Sequence, residues 1–162
     1  DYLFSAKEPS YNSPMLLAES VLKHGGLIQN NHPAADIEGR DQFDYDPRYY
    51  SVIVNTEIWP DTKQYKGKRT TLRVENLREF LNKGGKTGFV GSTDTHEGKP
   101  AAKTAVLAKE LTRPAIFEAL RQRRNYAVFN ARIVLDFKIN GHFMGEEIEV
   151  DGNPRIVAEV KG

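Results

Sequence analysis

The amino-terminal 133 residues alternate between short apolar runs with β-strand character and segments whose apolar residues recur at helical spacing. Ser13-Pro14 predicts the start of the first helix, because serine accepts hydrogen bonds from a helix's first N–H groups and proline fits the first helical position. Alternation of helix and strand is typical of α/β domains with parallel strands. We therefore predict an α/β architecture for this part of the chain.

The individual elements follow from hydrophobic period and from turn residues. Strands are predicted over 26–29, 51–59, 87–91 and 104–108. Helices are predicted from Pro14 to Gly25-Gly26, over about 71–83, and from an N-cap at Thr112 to near Arg124. The polar stretches 30–47, 60–70 and 92–100 are predicted to be loops.

The pattern changes after residue 133. Residues 133–139 alternate between apolar and polar, Asn140-Gly141 is a strong hairpin-turn signal, and a second strand is predicted near 143–150. Residues 155–160 alternate again. We therefore predict two units, an α/β part over 1–133 and the start of an antiparallel β-rich domain over 134–162.

Composition excludes several function classes. Lysine plus arginine number 23 and aspartate plus glutamate 22, so a net charge of +1 gives no electrostatic footprint for nucleic acid. The chain has no cysteine, which excludes disulfides, thiolate zinc sites and cysteine nucleophiles and suits either redox compartment. No apolar run is as long as a membrane span. The expected partner is a small-molecule substrate, with neither a membrane nor nucleic acid.

Asp94 and His96 are the sharpest functional candidates. They follow the predicted strand 87–91 within Gly91-Ser92-Thr93-Asp94-Thr95-His96. In parallel α/β folds the carboxyl ends of the strands carry the active site. Side chains two residues apart in an extended segment project the same way, so this carboxylate and imidazole can reach one metal or two neighbouring metals. The alternative is an Asx turn with a surface histidine.

His32 is the second candidate. It follows the predicted strand 26–29 in Asn30-Asn31-His32-Pro33, again at a strand end, and a neutral imidazole there suits zinc or manganese. The alternative is a turn histidine before proline. Two strand ends that each carry a histidine strengthen the metal hypothesis beyond either one alone.

The remaining candidates point less sharply to chemistry. Glu57, near the end of the predicted strand 51–59 and beside Trp59, is either a base or substrate-binding group or a solvated residue of an edge strand. The other two histidines, His24 and His142, are predicted to be structural or exposed. The loop residues Asp36, Asp41, Asp44 and Asp46 are predicted to shape a loop, and Lys63, Lys66, Lys68 and Arg69 either hold an anionic substrate or form a solvated face.

Several segments together carry a family resemblance over about residues 14–148. In order, Gly91–His96, Ala105–Ala108, Leu111–Arg113, Ala119–Ala127 and Asn140–Gly145 resemble the end of a PHP-type metal-dependent hydrolase domain, in its CehA/McbA-like branch. Each motif alone is weak, and their order and spacing make the set specific.

The resemblance implies a distorted β/α barrel that binds two or three divalent metals (zinc, manganese or iron) and uses a metal-activated water. The bond attacked is a phosphoester or an amide- or carbamate-like bond. By this resemblance His32, Asp94 and His96 are metal ligands, and Asp94 and His96 are also catalytic. Glu57-Ile58-Trp59 resembles a family strand that continues with asparagine, where this chain has Pro60.

The family's early His-x-His and its middle ligands are missing from this sequence. The resemblance therefore implies the C-terminal half of the barrel followed by the start of a β-rich segment, with little or no activity as an isolated chain and hydrolase activity in the full-length parent. One alternative is a non-catalytic, degenerate barrel remnant that supports a β-rich glycan- or protein-binding module. A second, a phosphoesterase of nucleic-acid processing, conflicts with the net charge.

Overall fold

The computed structural model describes residues 13–31, 53–58, 64–65, 68–69, 74–92 and 102–162. The helices are α1 (Pro14–Lys23), α2 (Val74–Asn82) and α3 (Arg113–Arg121). The strands are β1 (Ile28–Asn30), β2 (Ile53–Glu57), β3 (Gln64–Tyr65), β4 (Lys68–Arg69), β5 (Gly88–Val90), β6 (Ala102–Val106), β7 (Asn125–Phe129), β8 (Val134–Ile139), β9 (His142–Phe143) and β10 (Ile156–Lys161).

A parallel sheet in the order β1-β2-β5 forms the centre of the α/β part. Asn30 lies opposite Thr56, and Glu57 lies opposite Val90, so all three strands end at the same edge. This confirms the predicted α/β class with parallel strands. The sheets formed by the described residues are open ones of two or three strands.

The helix starts follow the sequence signals. Ser13 Oγ accepts a hydrogen bond from Leu16 N at 3.2 Å, and Thr112 Oγ1 accepts one from Ala115 N at 3.4 Å. Both are predicted N-caps followed by a proline in the first turn. Helix α1 then buries Ala18 against Ile53 of β2. No helix within the described ranges has the length and apolar character needed to cross a membrane.

Two antiparallel pairs were not predicted for the first part of the chain. Strand β6 pairs antiparallel with β7, which the sequence analysis missed, and β3 pairs with β4 inside a predicted loop. Strand β7 forms because the chain reverses directly after α3, where Arg123 adopts a φ of 57°. A non-glycine residue in this conformation is uncommon, and the sequence carries no glycine to signal the turn.

The carboxyl-terminal residues form an antiparallel sheet, as predicted, and its strand order is β10-β8-β9. Asn140 and Gly141 both have positive φ, 52° and 85°, as the two-residue hairpin turn requires. The predicted strand 143–150 is wrong beyond Phe143. Gly145, with a φ of 90°, ends the strand and turns the chain toward α3.

The turn at Gly145 packs closely on the end of α3. A Cβ at this position would overlap the carbonyl oxygen of Gln122, so only glycine fits. Arg123 Nη2 donates to Gly145 O at 3.2 Å and to Glu147 Oε1 at 3.1 Å, and Lys86 Nζ also binds Glu147. These polar contacts connect the β-rich segment to the α/β part.

Buried amides connect β2 and β5 to the α3–β7 unit. Asn55 Nδ2 donates to Leu120 O at 3.2 Å, and Asn125 Nδ2 donates to Phe89 O at 2.7 Å, with both residues 3% exposed. The two amide oxygens crowd Gly88, whose ideal Cβ would lie 2.5 Å from Asn55 Oδ1 and 2.7 Å from Asn125 Oδ1. The close approach of these chains therefore requires glycine at position 88.

We expect Gly88→Ala to lower the free energy of unfolding by about 1–3 kcal/mol, because the new methyl group displaces both buried amides. Urea denaturation followed by circular dichroism measures this. Gly162→Ala is the matched control, since a Cβ there would find its nearest neighbour, Ile133 Cγ1, at 3.8 Å. Equal stability of the two variants would contradict the close packing at Gly88.

The contact between Glu147 and Lys86 predicts acid sensitivity of the connection to the β-rich segment. The Lys86 hydrogen bond and charge hold the pKa of Glu147 below its ordinary value. The ionised carboxylate therefore contributes stability above that ordinary value, and the contribution is lost as the pH falls through the lowered pKa. Wild type should have a higher melting temperature than Glu147→Gln near pH 7, and the difference should close as the pH falls through the lowered pKa of Glu147. Glu149→Gln, which changes an exposed glutamate of the same segment, is the matched control.

Candidate functional site

The carboxyl edge of the parallel sheet is the candidate functional site. Its central strand β2 ends at Glu57, flanked by the end of β1 at Asn30 and the end of β5 at Val90. Because the carboxyl ends of adjacent parallel strands meet, residues that follow them are brought to one side of the sheet. Glu57 is itself the last residue of β2. His32 follows β1 in the sequence, and Asp94 and His96 follow β5.

Glu57 is the predicted site residue that the structure describes. It is 6% exposed in the central strand of the sheet, next to Thr56, which is fully buried. The alternative of a solvated glutamate on an edge strand is therefore wrong. A buried carboxyl group is stable only when other groups compensate its lost hydration, and Glu57 does have an interaction partner.

The proposed metal ligands His32, Asp94 and His96 lie outside the described residues. The described chain ends at Asn31 on one side, where Asn31 Oδ1 accepts from Gln29 Nε2 at 2.6 Å, and at Ser92 on the other. His32 is the next residue after Asn31, and Asp94 is two residues after Ser92. The described residues by themselves hold no group of three or more metal-ligating side chains.

Gly91 anchors the exit from β5 toward these residues. Its N–H donates to Thr104 Oγ1 at 3.0 Å, and the same hydroxyl donates to Gly91 O at 3.2 Å. A Cβ on Gly91 would lie 2.6 Å from Lys103 O, so glycine allows β6 to approach this closely. The backbone leading to Asp94 and His96 therefore leaves the sheet from a fixed point.

The other predicted residues are distributed as follows. His24 Nδ1 lies 2.8 Å from Ser20 O at the end of α1, and His142 Nδ1 lies 3.0 Å from Glu146 Oε2, both exposed as predicted. Lys68 and Arg69 form β4, beside β3. The remaining loop residues Asp36, Asp41, Asp44, Asp46, Lys63 and Lys66 lie outside the described residues.

Two buried asparagines, Asn55 and Asn125, were not among the residues predicted from the sequence. Each has an Oδ1 atom that is buried without a hydrogen-bond partner, although its Nδ2 donates to a backbone carbonyl. For Asn55 the sequence did offer a signal, since a polar asparagine interrupts the β-branched residues of β2. For Asn125 the neighbouring arginines hid the signal, because they suggested the end of a helix.

Comparison of the chain with protein-family models, with curated proteins and with solved structures gave no match.

Thr104→Val should lower the free energy of unfolding by about 1–3 kcal/mol, because it keeps the side-chain shape but removes both hydrogen bonds to Gly91. Thr104→Ser, which keeps the hydroxyl, is the control and should lose less. Thermal or chemical unfolding of the two variants measures the difference. If valine is tolerated as well as serine, the hydroxyl does not hold the exit of β5.

Proposed function

We propose that this chain carries part of a metal-dependent hydrolase site, acting on a phosphoester or an amide- or carbamate-like bond of a small molecule. The observation that supports it is the convergence of three strand ends, with a buried carboxylate, Glu57, at the middle one. We propose that the parallel sheet belongs to a PHP-like β/α barrel and that the antiparallel sheet begins a further domain.

The proposed ligands follow the strand ends so closely in the sequence that they can reach the same metal site. His32 lies two residues after Asn30, and Asp94 lies two residues after Ser92, so each Cα can be no more than about 7 Å from those backbone positions. Strands in a sheet are spaced about 4.8 Å apart, which puts the two flanking strands about 10 Å from each other. Side chains from both sides can therefore reach metals placed over the central strand.

The donor chemistry also fits. Two imidazoles and a carboxylate suit zinc, manganese or iron, and the sequence contains no thiolate that would favour a structural zinc site. His32, Asp94 and His96 would hold the metals, which would supply a low-pKa bound water and polarise the scissile bond. The chain leading to Asp94 and His96 leaves the sheet at Gly91, which is held by Thr104.

Glu57 is assigned the role of a base or a substrate-positioning group. Its burial lowers the local dielectric, which strengthens any hydrogen bond it makes to a bound substrate. Glu57 ends the central strand, between the ends of β1 and β5, and these two strands are followed by the proposed ligands.

Metal content of the purified chain tests the proposal. We expect zinc, manganese or iron in near-stoichiometric amount by elemental analysis after incubation with each ion and desalting. The double variant Asp94→Ala/His96→Ala should lose most of it, and His32→Ala should lose part. Glu57→Gln should keep the metal, because Glu57 acts on substrate.

Asp151→Ala/His24→Ala is the matched control, since it removes the same residue types at two exposed positions, one in the β-rich segment and one before the amino end of β1. Metal that is retained by Asp94→Ala/His96→Ala would show that other residues bind it. Absence of metal from the wild-type chain under all three ions would contradict the proposed site and favour the non-catalytic module that supports a β-rich binding domain.

A further inference from the structure

Strand β10 forms one edge of the antiparallel sheet, because the described residues pair it on one side alone, with β8. All six of its residues, Ile156–Lys161, are exposed. The strand runs in one continuous register and contains no proline. An open edge of this kind is a template for pairing with a further strand, and proteins usually blunt it. This edge is therefore a candidate interaction surface.

The open edge of β10 carries the backbone groups of its even-numbered residues. Arg155 N donates to Asn140 Oδ1 at 2.8 Å, and Asn140 N donates to Arg155 O at 2.9 Å, so the backbone of Arg155 faces the β8 side. In an antiparallel ladder, residues whose backbone groups bond to the neighbouring strand alternate with residues whose groups do not. The N–H and C=O groups of Ile156, Ala158 and Val160 therefore point away from β8, toward a further strand.

The same three residues extend an apolar face of the sheet. The β8 side chains of this face line a cavity of about 520 Å³ between the sheet and the amino end of β5, and they are Leu135, Phe137 and Ile139. Because Ile156, Ala158 and Val160 lie directly opposite these residues, their side chains share the face. Ile156 is 59% exposed and Val160 is 65% exposed. A strand that continues the sheet would cover part of this apolar surface.

The opposite face of β10 carries two charges that lack a partner. Glu159 lies directly opposite Asp136 of β8, and like charges in this position destabilise a sheet. Asp136 pairs with Lys138 at 2.6 Å. Among the described residues, neither Glu159 nor Lys161 forms an ion pair of its own. A strand placed beside β10 would relieve both if it carried a cation opposite Glu159 and a carboxylate opposite Lys161.

A second copy of β10 carries these charges at the required positions. When two copies pair antiparallel about a two-fold axis at Val160, Glu159 of each copy lies opposite Lys161 of the other. Val160 then lies opposite its own equivalent, and Ala158 lies opposite Gly162. The axis is perpendicular to the sheet, so the apolar faces of both copies lie on the same side.

The other symmetric registers are less favourable. Hydrogen bonds form only when even-numbered residues face even-numbered residues, so each register is centred on a single residue. Centring on Glu159 sets the two Glu159 carboxylates against each other, and centring on Ala158 sets Arg155 against Lys161. Centring one residue before Ala158 places Pro154 in the ladder, where it has no N–H to donate.

We propose that this chain forms a two-fold dimer in which the β10 strands of two copies pair antiparallel about Val160, with Glu159 of each copy bound to Lys161 of the other. The dimer joins two three-stranded sheets into one. The contact is small, so we expect a dissociation constant on the order of 10–100 μM. The proposal is independent of the proposed hydrolase function.

Sedimentation equilibrium of the chain between about 5 and 500 μM, a range that brackets the expected dissociation constant, tests the proposal. The mean mass of the wild type should rise from that of one chain toward that of two. Glu159→Lys and Lys161→Glu should each weaken association by about tenfold or more, because two attractive pairs become repulsive. Glu149→Lys, which makes the same charge change at an exposed position outside the strands, is the matched control and should associate as the wild type does.

Mixing the two single variants in equal amounts tests the register. In the mixed dimer each Glu159→Lys chain offers two lysines to the two glutamates of a Lys161→Glu chain, so association should return to near the wild-type level. A wild type that stays monomeric up to about 500 μM would overturn the proposal. Association that ignores both single variants, or that mixing fails to restore between variants with native circular dichroism, would overturn it as well.

Discussion

Burial of the polar end of β2 is the constraint on which the rest of the structure depends. Asn55, Thr56 and Glu57 are all nearly inaccessible to solvent, in a strand with neighbours on both sides. Buried polar groups must find partners, or they cost more free energy than the burial returns. The Asn55 amide nitrogen donates to Leu120 O near the end of α3, and this interaction holds α3 and the strand that follows it against the sheet.

The fold also depends on close packing around two glycines, Gly88 and Gly91. Where Asn55 and Asn125 face β5, Gly88 leaves the space for their oxygens, and where β6 crosses the end of β5, Gly91 leaves the space for Lys103 O. Each glycine has a direct role because a Cβ would collide with fixed backbone or buried amide atoms. The same sheet thus has a crowded amino end, next to an apolar cavity, and a carboxyl end from which the proposed ligands leave.

The sequence predicted the local elements well because their signals are local. N-caps at Ser13 and Thr112, the Asn140-Gly141 turn and the parallel class of the first sheet all follow from residue type and spacing. Strand β7 was missed because the reversal before it depends on Arg123 in a left-handed conformation, which arginine rarely adopts. The strand predicted after Phe143 failed because Gly145 must pack against α3, a contact invisible in the local pattern.

By itself the sequence determined the α/β class, the helix boundaries to within a few residues and the assignment of Glu57 to a strand end, because these depend on short-range preferences. Only the tertiary structure decided that β2 is central, that Glu57 is buried, and that three strand ends share one edge. It also decided that Asn55 and Asn125 each bury an amide oxygen without a hydrogen-bond partner. These properties depend on which strands become neighbours, and pairing between distant segments is fixed by the packing of the whole chain rather than by any one stretch of it.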